Sequence, residues 1–255
     1  MIALHGKQLF KKLLKNQKKR ARALAIVPLT CVVAAISGSI LLSCTPASLV
    51  EQGIERELPK YVGPADSYKV DIDGLKVNDG TASTVVALGE RVHPKGAPVI
   101  EQLKLELEGV VYDRDNERLS KIEGARLTAV IKTPDLVTFL EAYRDVREAE
   151  VMLRSPNEAT IRLRPQIGGL AVPRGMTVDV SGQLIGESTQ LRFDVDEVSA
   201  AGIDLSAIAA TRLSDVINPL ADLENLPVEV EITSVMVAGE TIGLEVIGDP
   251  DSFEL

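Results

Sequence analysis

Tryptophan is missing from this 255-residue chain, and only eight residues are Phe or Tyr. An interior so poor in rings must be built from Val, Leu, Ile and Ala. It leaves little material for the stacking platforms on which sugar and nucleotide sites rely. Histidine and cysteine are just as scarce, with two of each. His5 stands near the N-terminus. The other, His93, lies in Arg91-Val92-His93-Pro94-Lys95-Gly96, a polar turn in which it reads as a solvated side chain. Cys31 and Cys44 both precede residue 45, so the chain beyond has no disulfide and no thiol chemistry. A zinc site there would need several carboxylates, an uncommon ligand set. A Gly-x-Ser-x-Gly elbow, a phosphate-binding glycine loop with lysine and a dinucleotide glycine pattern are all absent. No enzyme activity, cofactor or metal is expected. Two carboxylates facing each other in an apolar pocket would revive catalysis, an arrangement that spacing cannot reveal.

Acidic residues are missing from the N-terminal stretch. The first 22 residues carry eight Lys and Arg with no Asp or Glu, and Ala23 to Leu42 is a run of twenty uncharged residues. As a helix that run would be about 30 Å long, the hydrocarbon thickness of a bilayer. Positive charge on its N-terminal side predicts that this end stays in the cytoplasm and that the chain beyond the run is exported. The run closes on Leu41-Leu42-Ser43-Cys44, which resembles the lipobox of bacterial lipoprotein signal peptides. In such peptides the Cys thiol takes diacylglycerol and becomes the mature N-terminus. The alternatives are an uncut signal anchor, with Cys44 an idle thiol, and cleavage that releases a soluble protein. Residues 1–44 are therefore read as a signal and anchor segment, and residues 45–255 as a single exported domain on the extracytoplasmic side of the cell envelope.

With the eight basic residues of the leader set aside, residues 45–255 hold 20 basic against 37 acidic side chains, a net charge of −17. Such a domain repels nucleic acid and gains nothing overall from anionic headgroups. Membrane attachment must then come from the anchor or from local apolar contacts.

Period-two alternation dominates this domain. Leu103, Leu105 and Leu107 alternate with charged residues, as do Val151 and Leu153, Ile161 and Leu163, and Leu191, Phe193 and Val195. Val228, Val230 and Ile232, then Ile242, Leu244 and Val246, close the series. The pattern predicts eight to ten antiparallel strands with one wet and one dry face. Asp71-Ile72-Asp73-Gly74 superficially resembles a calcium loop. It lacks the third acidic position and the closing Glu, and reads as a solvated strand face. Three helices are predicted. The first is Ser48 to Leu58, with Leu49, Ile54 and Leu58 along one side. The second follows Thr133-Pro134-Asp135, a capping hydroxyl with Pro at the first helical position, and carries Leu136, Phe139, Leu140 and Tyr143. The third is Asp204 to Asn218, with Leu205, Ile208, Leu213, Val216 and Ile217. About three apolar stripes must cover a large dry face. Either the sheet closes over them as a filled core or an apolar cavity remains, and periodicity cannot choose.

The order of pieces resembles the LmeA-like phospholipid-binding family over about residues 48–248. The features that carry the resemblance are the cadence Leu103-x-Leu105-x-Leu107-x-Gly109-Val110-x-x-Asp113, then Thr133-Pro134-Asp135-Leu136, and above all Asn218-Pro219-x-x-Asp222-Leu223-x-x-Leu226-Pro227. The resemblance implies an α+β fold, a curved antiparallel sheet wrapped around amphipathic helices, similar to tubular lipid-binding domains. It also implies non-catalytic binding of phospholipid or another acyl lipid in an apolar groove, in lipid transfer or envelope maintenance. On that reading the chains lie between the dry sheet face and Leu136, Phe139, Leu140, Leu205, Ile208, Leu213, Val216 and Ile217. The rival reading is an envelope scaffold with a filled core, its acidic surface facing a basic partner. Arg154, Arg162 and Arg164 are either a headgroup pocket or part of a wet face.

Overall fold

In the computed structural model, residues 46–113, 118–165, 177–205, 207–224 and 229–250 are described. Helix α1 (Pro46–Glu57) leads through a short 3-10 turn (Leu58–Lys60) into β1 (Ser67–Asp73), β2 (Thr81–Val92), β3 (Ile100–Asp113), β4 (Arg118–Lys121) and β5 (Gly124–Lys132). Helix α2 (Thr133–Glu141) comes next, then β6 (Val146–Arg154), β7 (Glu158–Pro165), β8 (Val178–Glu187), β9 (Gln190–Ala200) and β10 (Ile203–Asp204). Helix α3 (Ala207–Ile217), β11 (Ala221–Asp222), β12 (Val230–Ala238) and β13 (Thr241–Gly248) complete the order.

The expected single curved sheet, wrapped into a tube around the helices, does not form. The strands make two open antiparallel sheets, one ordered β1-β2-β3-β5-β13-β12 with β4 on β3, the other β10-β9-β8-β7-β6 with β11 on β9. Neither path closes on itself. Alternation tells which side chains of a strand are dry, and it is silent about which strands are neighbours. Here the chain leaves the first sheet at Lys132, crosses through α2, builds the second sheet, and returns with the β12–β13 hairpin, whose β13 pairs with β5.

Buried side chains from both sheets and from α2 and α3 meet in one apolar cluster, which includes Leu103, Ile131, Leu140, Ile161, Phe193, Ile217 and Leu244. A smaller cluster of Val70, Ile72, Ala82 and Ala87 lies under Ile54 of α1 and Leu58 of the 3-10 turn, and Leu105 packs against both clusters. The sheets also touch at an edge. The β12 amides of Ile232 and Val237 donate to Ser188 O at 2.9 Å and Pro156 O at 2.6 Å. Gly186 is required there, because a Cβ on it would meet the Ile232 side chain at 2.6 Å.

Helix boundaries differ from the sequence reading in physical detail. Thr133 does not cap its own helix; its hydroxyl and amide donate to Glu240 O at 2.9 and 3.0 Å, tying α2 to the β12–β13 turn. The third helix starts at Ala207 and not at Asp204, because Ile203 and Asp204 pair with Ala200 and Ser199 as β10. Leu49 does not join Ile54 and Leu58 against the smaller cluster; it is exposed. Asp71 and Asp73 are exposed opposite the buried Val70 and Ile72, as the solvated-face reading has it.

Candidate functional site

Three irregular segments converge over the Ile100 end of the first sheet's dry face. The segment after the 3-10 turn brings Val62, the loop after β2 brings Pro94 and Ala97, and the β11 strap brings Ala221 and Leu223. Beneath them lie Ile100 and Leu103 of β3, Leu127, Ala129 and Ile131 of β5, and Leu244 of β13. Together these eleven residues line a partly open seam and offer no polar surface to it. The space open to the centre of a water-sized sphere is about 20 Å³, whereas ligand pockets run from roughly 300 to 1,000 Å³. The seam is therefore nearly shut, and it holds no carboxylate pair.

Backbone hydrogen bonds stitch the rim. His93 N donates to Pro64 O at 2.8 Å, Asp222 N to Gly96 O at 3.3 Å, and Leu223 N to Thr189 O at 3.0 Å. Gly63 adopts φ +123°, and a Cβ there would meet His93 O at 2.4 Å, so only glycine allows this approach. Tyr68 seals the flank by donating its hydroxyl to Gly63 O at 2.8 Å, and burial pushes its pKa up to about 12. His93 itself is exposed.

The strap over the seam is the Asn-Pro-x-x-Asp-Leu segment. Asn218 Oδ1 accepts from Phe193 N at 2.7 Å, while Asn218 Nδ2 donates to Phe193 O at 2.9 Å and Ser214 Oγ at 3.1 Å. Asp222 accepts from Gln190 Nε2 at 3.0 Å and from Glu224 N at 2.9 Å. These bonds strap the chain after α3 onto β9 and aim Leu223 into the seam. Leu226 and Pro227 lie outside the described residues.

The lipid-contact residues expected from sequence do not line the seam directly. Leu136, Leu140, Leu213 and Ile217 are fully buried in the same apolar cluster as the seam's floor. Leu205 and Val216 are half-buried against that cluster. Phe139 meets Tyr143 edge-on, ring centroids 5.3 Å apart at 86°, and Tyr143 reaches Pro219 O at 3.0 Å. The side chain of Ile208 and all of Cys44 lie outside the described residues. Sequence reasoning missed Val62, Pro94 and Ala97, small apolar residues in loops, and Ala221 of the two-residue β11, segments with no periodicity to betray them.

Among the described residues, two of the three arginines Arg154, Arg162 and Arg164 are held in ion pairs. Arg162 bonds Asp179 at 2.7 Å and Glu150 at 3.2 Å, and Arg164 bonds Glu148 at 2.7 Å, cross-strand pairs on a wet face. At the end of the first sheet Arg91 bridges Asp135 at 2.8 Å and Glu101 at 3.0 Å. Lys132 also bonds Glu101, and with Arg91 it holds that carboxyl below its usual range. Among the described residues no group of three or more His, Cys, Asp or Glu could hold a metal ion.

A model of the LmeA-like phospholipid-binding family matches residues 47–247. The chain belongs to this family. The match begins in α1 and ends in β13, so it takes in both sheets and all three helices. No curated protein and no solved structure matches the chain. Among the described residues of this LmeA-like chain, no helix is long and apolar enough to cross a membrane; the run Ala23–Leu42 lies outside them.

Proposed function

We propose that this LmeA-like protein binds a phospholipid by its acyl chains in the apolar seam, without catalysis, while its N-terminal segment tethers it to the cell envelope membrane. The observation that carries the reading is the seam itself, eleven lining residues with no polar surface, where three segments outside the helices close over the first sheet's dry face. Its floor continues into the cluster containing Leu136, Leu140, Leu213 and Ile217. An acyl chain that parts the strap from the sheet would lie along those residues, with Leu205, Val216 and Phe139 as flanking contacts. Exclusion of water from aliphatic surface would drive entry, at about 25 cal/mol per Å² removed from water. Lipidation of Cys44, or an uncut anchor, would supply the tether that a domain charge of −17 cannot supply.

A scaffold with a filled interior is favoured by one observation, the seam's small volume. Mass spectrometry under native conditions separates the readings. Residues 45–255, exposed to phospholipid vesicles and freed of them, carry the added mass of one phospholipid per chain if the seam opens. Recovery of ligand-free protein alone contradicts lipid binding and supports the scaffold. The tether has its own test. Substituting Cys44→Ser abolishes incorporation of labelled fatty acid if the lipoprotein reading holds; unchanged labelling refutes it.

A further inference from the structure

Hydrogen bonds from an edge strand fix the direction of α1. Glu55 Oε1 accepts from Val70 N at 3.0 Å, and Glu51 Oε1 accepts from Ile72 N at 3.3 Å. The helix therefore runs antiparallel to β1, and its first turn passes Ile72 toward Gly74, where the β1–β2 turn begins. Three of the exposed large hydrophobic side chains gather at this end: Leu49 (42% exposed) and Val50 (37%) from α1, and Val77 (45%) from the turn. The uncharged run Ala23–Leu42 stops four residues before Pro46. Four residues span at most about 14 Å, so the first turn of α1 cannot stand far from the end of that run.

We infer that this end of the molecule, α1's first turn with Leu49 and Val50 and the β1–β2 turn with Val77, is a docking surface for the bilayer that holds the tether. The inference rests on the tether reading of residues 1–44. Docking is apolar in origin, since the domain's net charge offers no attraction to anionic lipid. The two carboxylates that clamp α1 to β1 stop the helix from swivelling, and the domain is held at one orientation. Strand register shows what faces away. Asp73, Thr84 and Glu108 lie at the docking end, whereas Ser67, Glu90, Gln102, Val130, Gly243 and Met236 form a row at the other end. The rows are about 20 Å apart along the strands. The seam, floored by Ile100 and Ile131, is thus presented on the membrane-distal side.

Because the chain has no tryptophan, a single introduced indole reports its own position. The full chain is reconstituted in phosphatidylcholine–phosphatidylglycerol vesicles with Val77→Trp, Leu49→Trp or Met236→Trp. Val77→Trp and Leu49→Trp should emit to the blue and lose intensity to acyl-brominated lipid, while Met236→Trp emits as in water and is not quenched. Water-like emission from all three, in a chain that floats with the vesicles, overturns the docking surface and leaves the tether standing. Equal quenching of all three also overturns it. A chain that does not float removes the tether, and the docking inference with it. Hydrogen exchange of the unsubstituted chain guards against a folding artefact: slowing at residues 47–50 and 75–80 on reconstitution supports docking, and unchanged exchange there contradicts it.

Discussion

Asn218 is the residue on which the strap over the seam depends. Its amide satisfies both backbone groups of Phe193, the oxygen accepting and the nitrogen donating, which no other side chain but Gln could imitate. Replacing Asn218 with Ala leaves both groups without partners and should cost about 2–4 kcal/mol in urea denaturation; a loss within error would show the strap to be held by packing alone. Tyr68 gives a pH signature. Its folded pKa is raised from 10.0 to about 12 by burial, so the unfolded chain releases the phenolic proton first. Stability is whole below pH 10 and falls as pH rises from about 10 to about 12. Tyr61 and Tyr143 shift in the same direction. Tyr68→Phe should therefore flatten the fall in urea midpoint across that window without abolishing it, and an unaltered slope would contradict the assignment to Tyr68.

Strands form where sequence alternation marks them, because a strand between a wet and a dry face writes its environment in every second residue; β2, β4, β10 and β11 form without that mark. Leu191 and Phe193 of β9 are fully buried. The same strand also shows where the rule stops. A register shift opposite Ser181 and Gly182 changes the phase, so that Val195 is half-buried while Val198 returns to the core. Gly182 is tied to that shift, since a Cβ on it would meet Asp194 O at 2.0 Å. The division into two sheets was not legible, since pairing depends on long-range register. The seam was not legible either, since loops build its rim; its strap, however, is the very segment that carried the family resemblance. Helix α1 is the clearest case of an element whose polar face matters more than its apolar stripe. Glu51 and Glu55 satisfy amides on the open edge of β1, where unpaired N–H groups would otherwise invite another strand. Substituting both with Ala should speed hydrogen exchange at Val70 and Ile72 and cost about 1–3 kcal/mol. Unchanged exchange at those two amides would show that water replaces the carboxylates freely.

At the scale of the whole molecule, a family assignment over residues 47–247 meets an apolar seam that is nearly closed. Filling the seam should block lipid without unfolding the domain. Ala97 is half-buried on the rim, and Ala97→Trp is expected to reduce uptake of fluorescent phospholipid from vesicles severalfold while the thermal midpoint stays close to the parent's. The most direct measurement uses a phospholipid with a photoactivatable group near the acyl terminus, crosslinked to the full chain in vesicles and mapped by peptide mass spectrometry. Lipid binding in the seam predicts adducts on peptides covering Ile100–Leu103, Leu127–Ile131 and Ala221–Leu223, lost in Ala97→Trp. Adducts confined to residues 1–45 and α1, with none on those peptides, would contradict it.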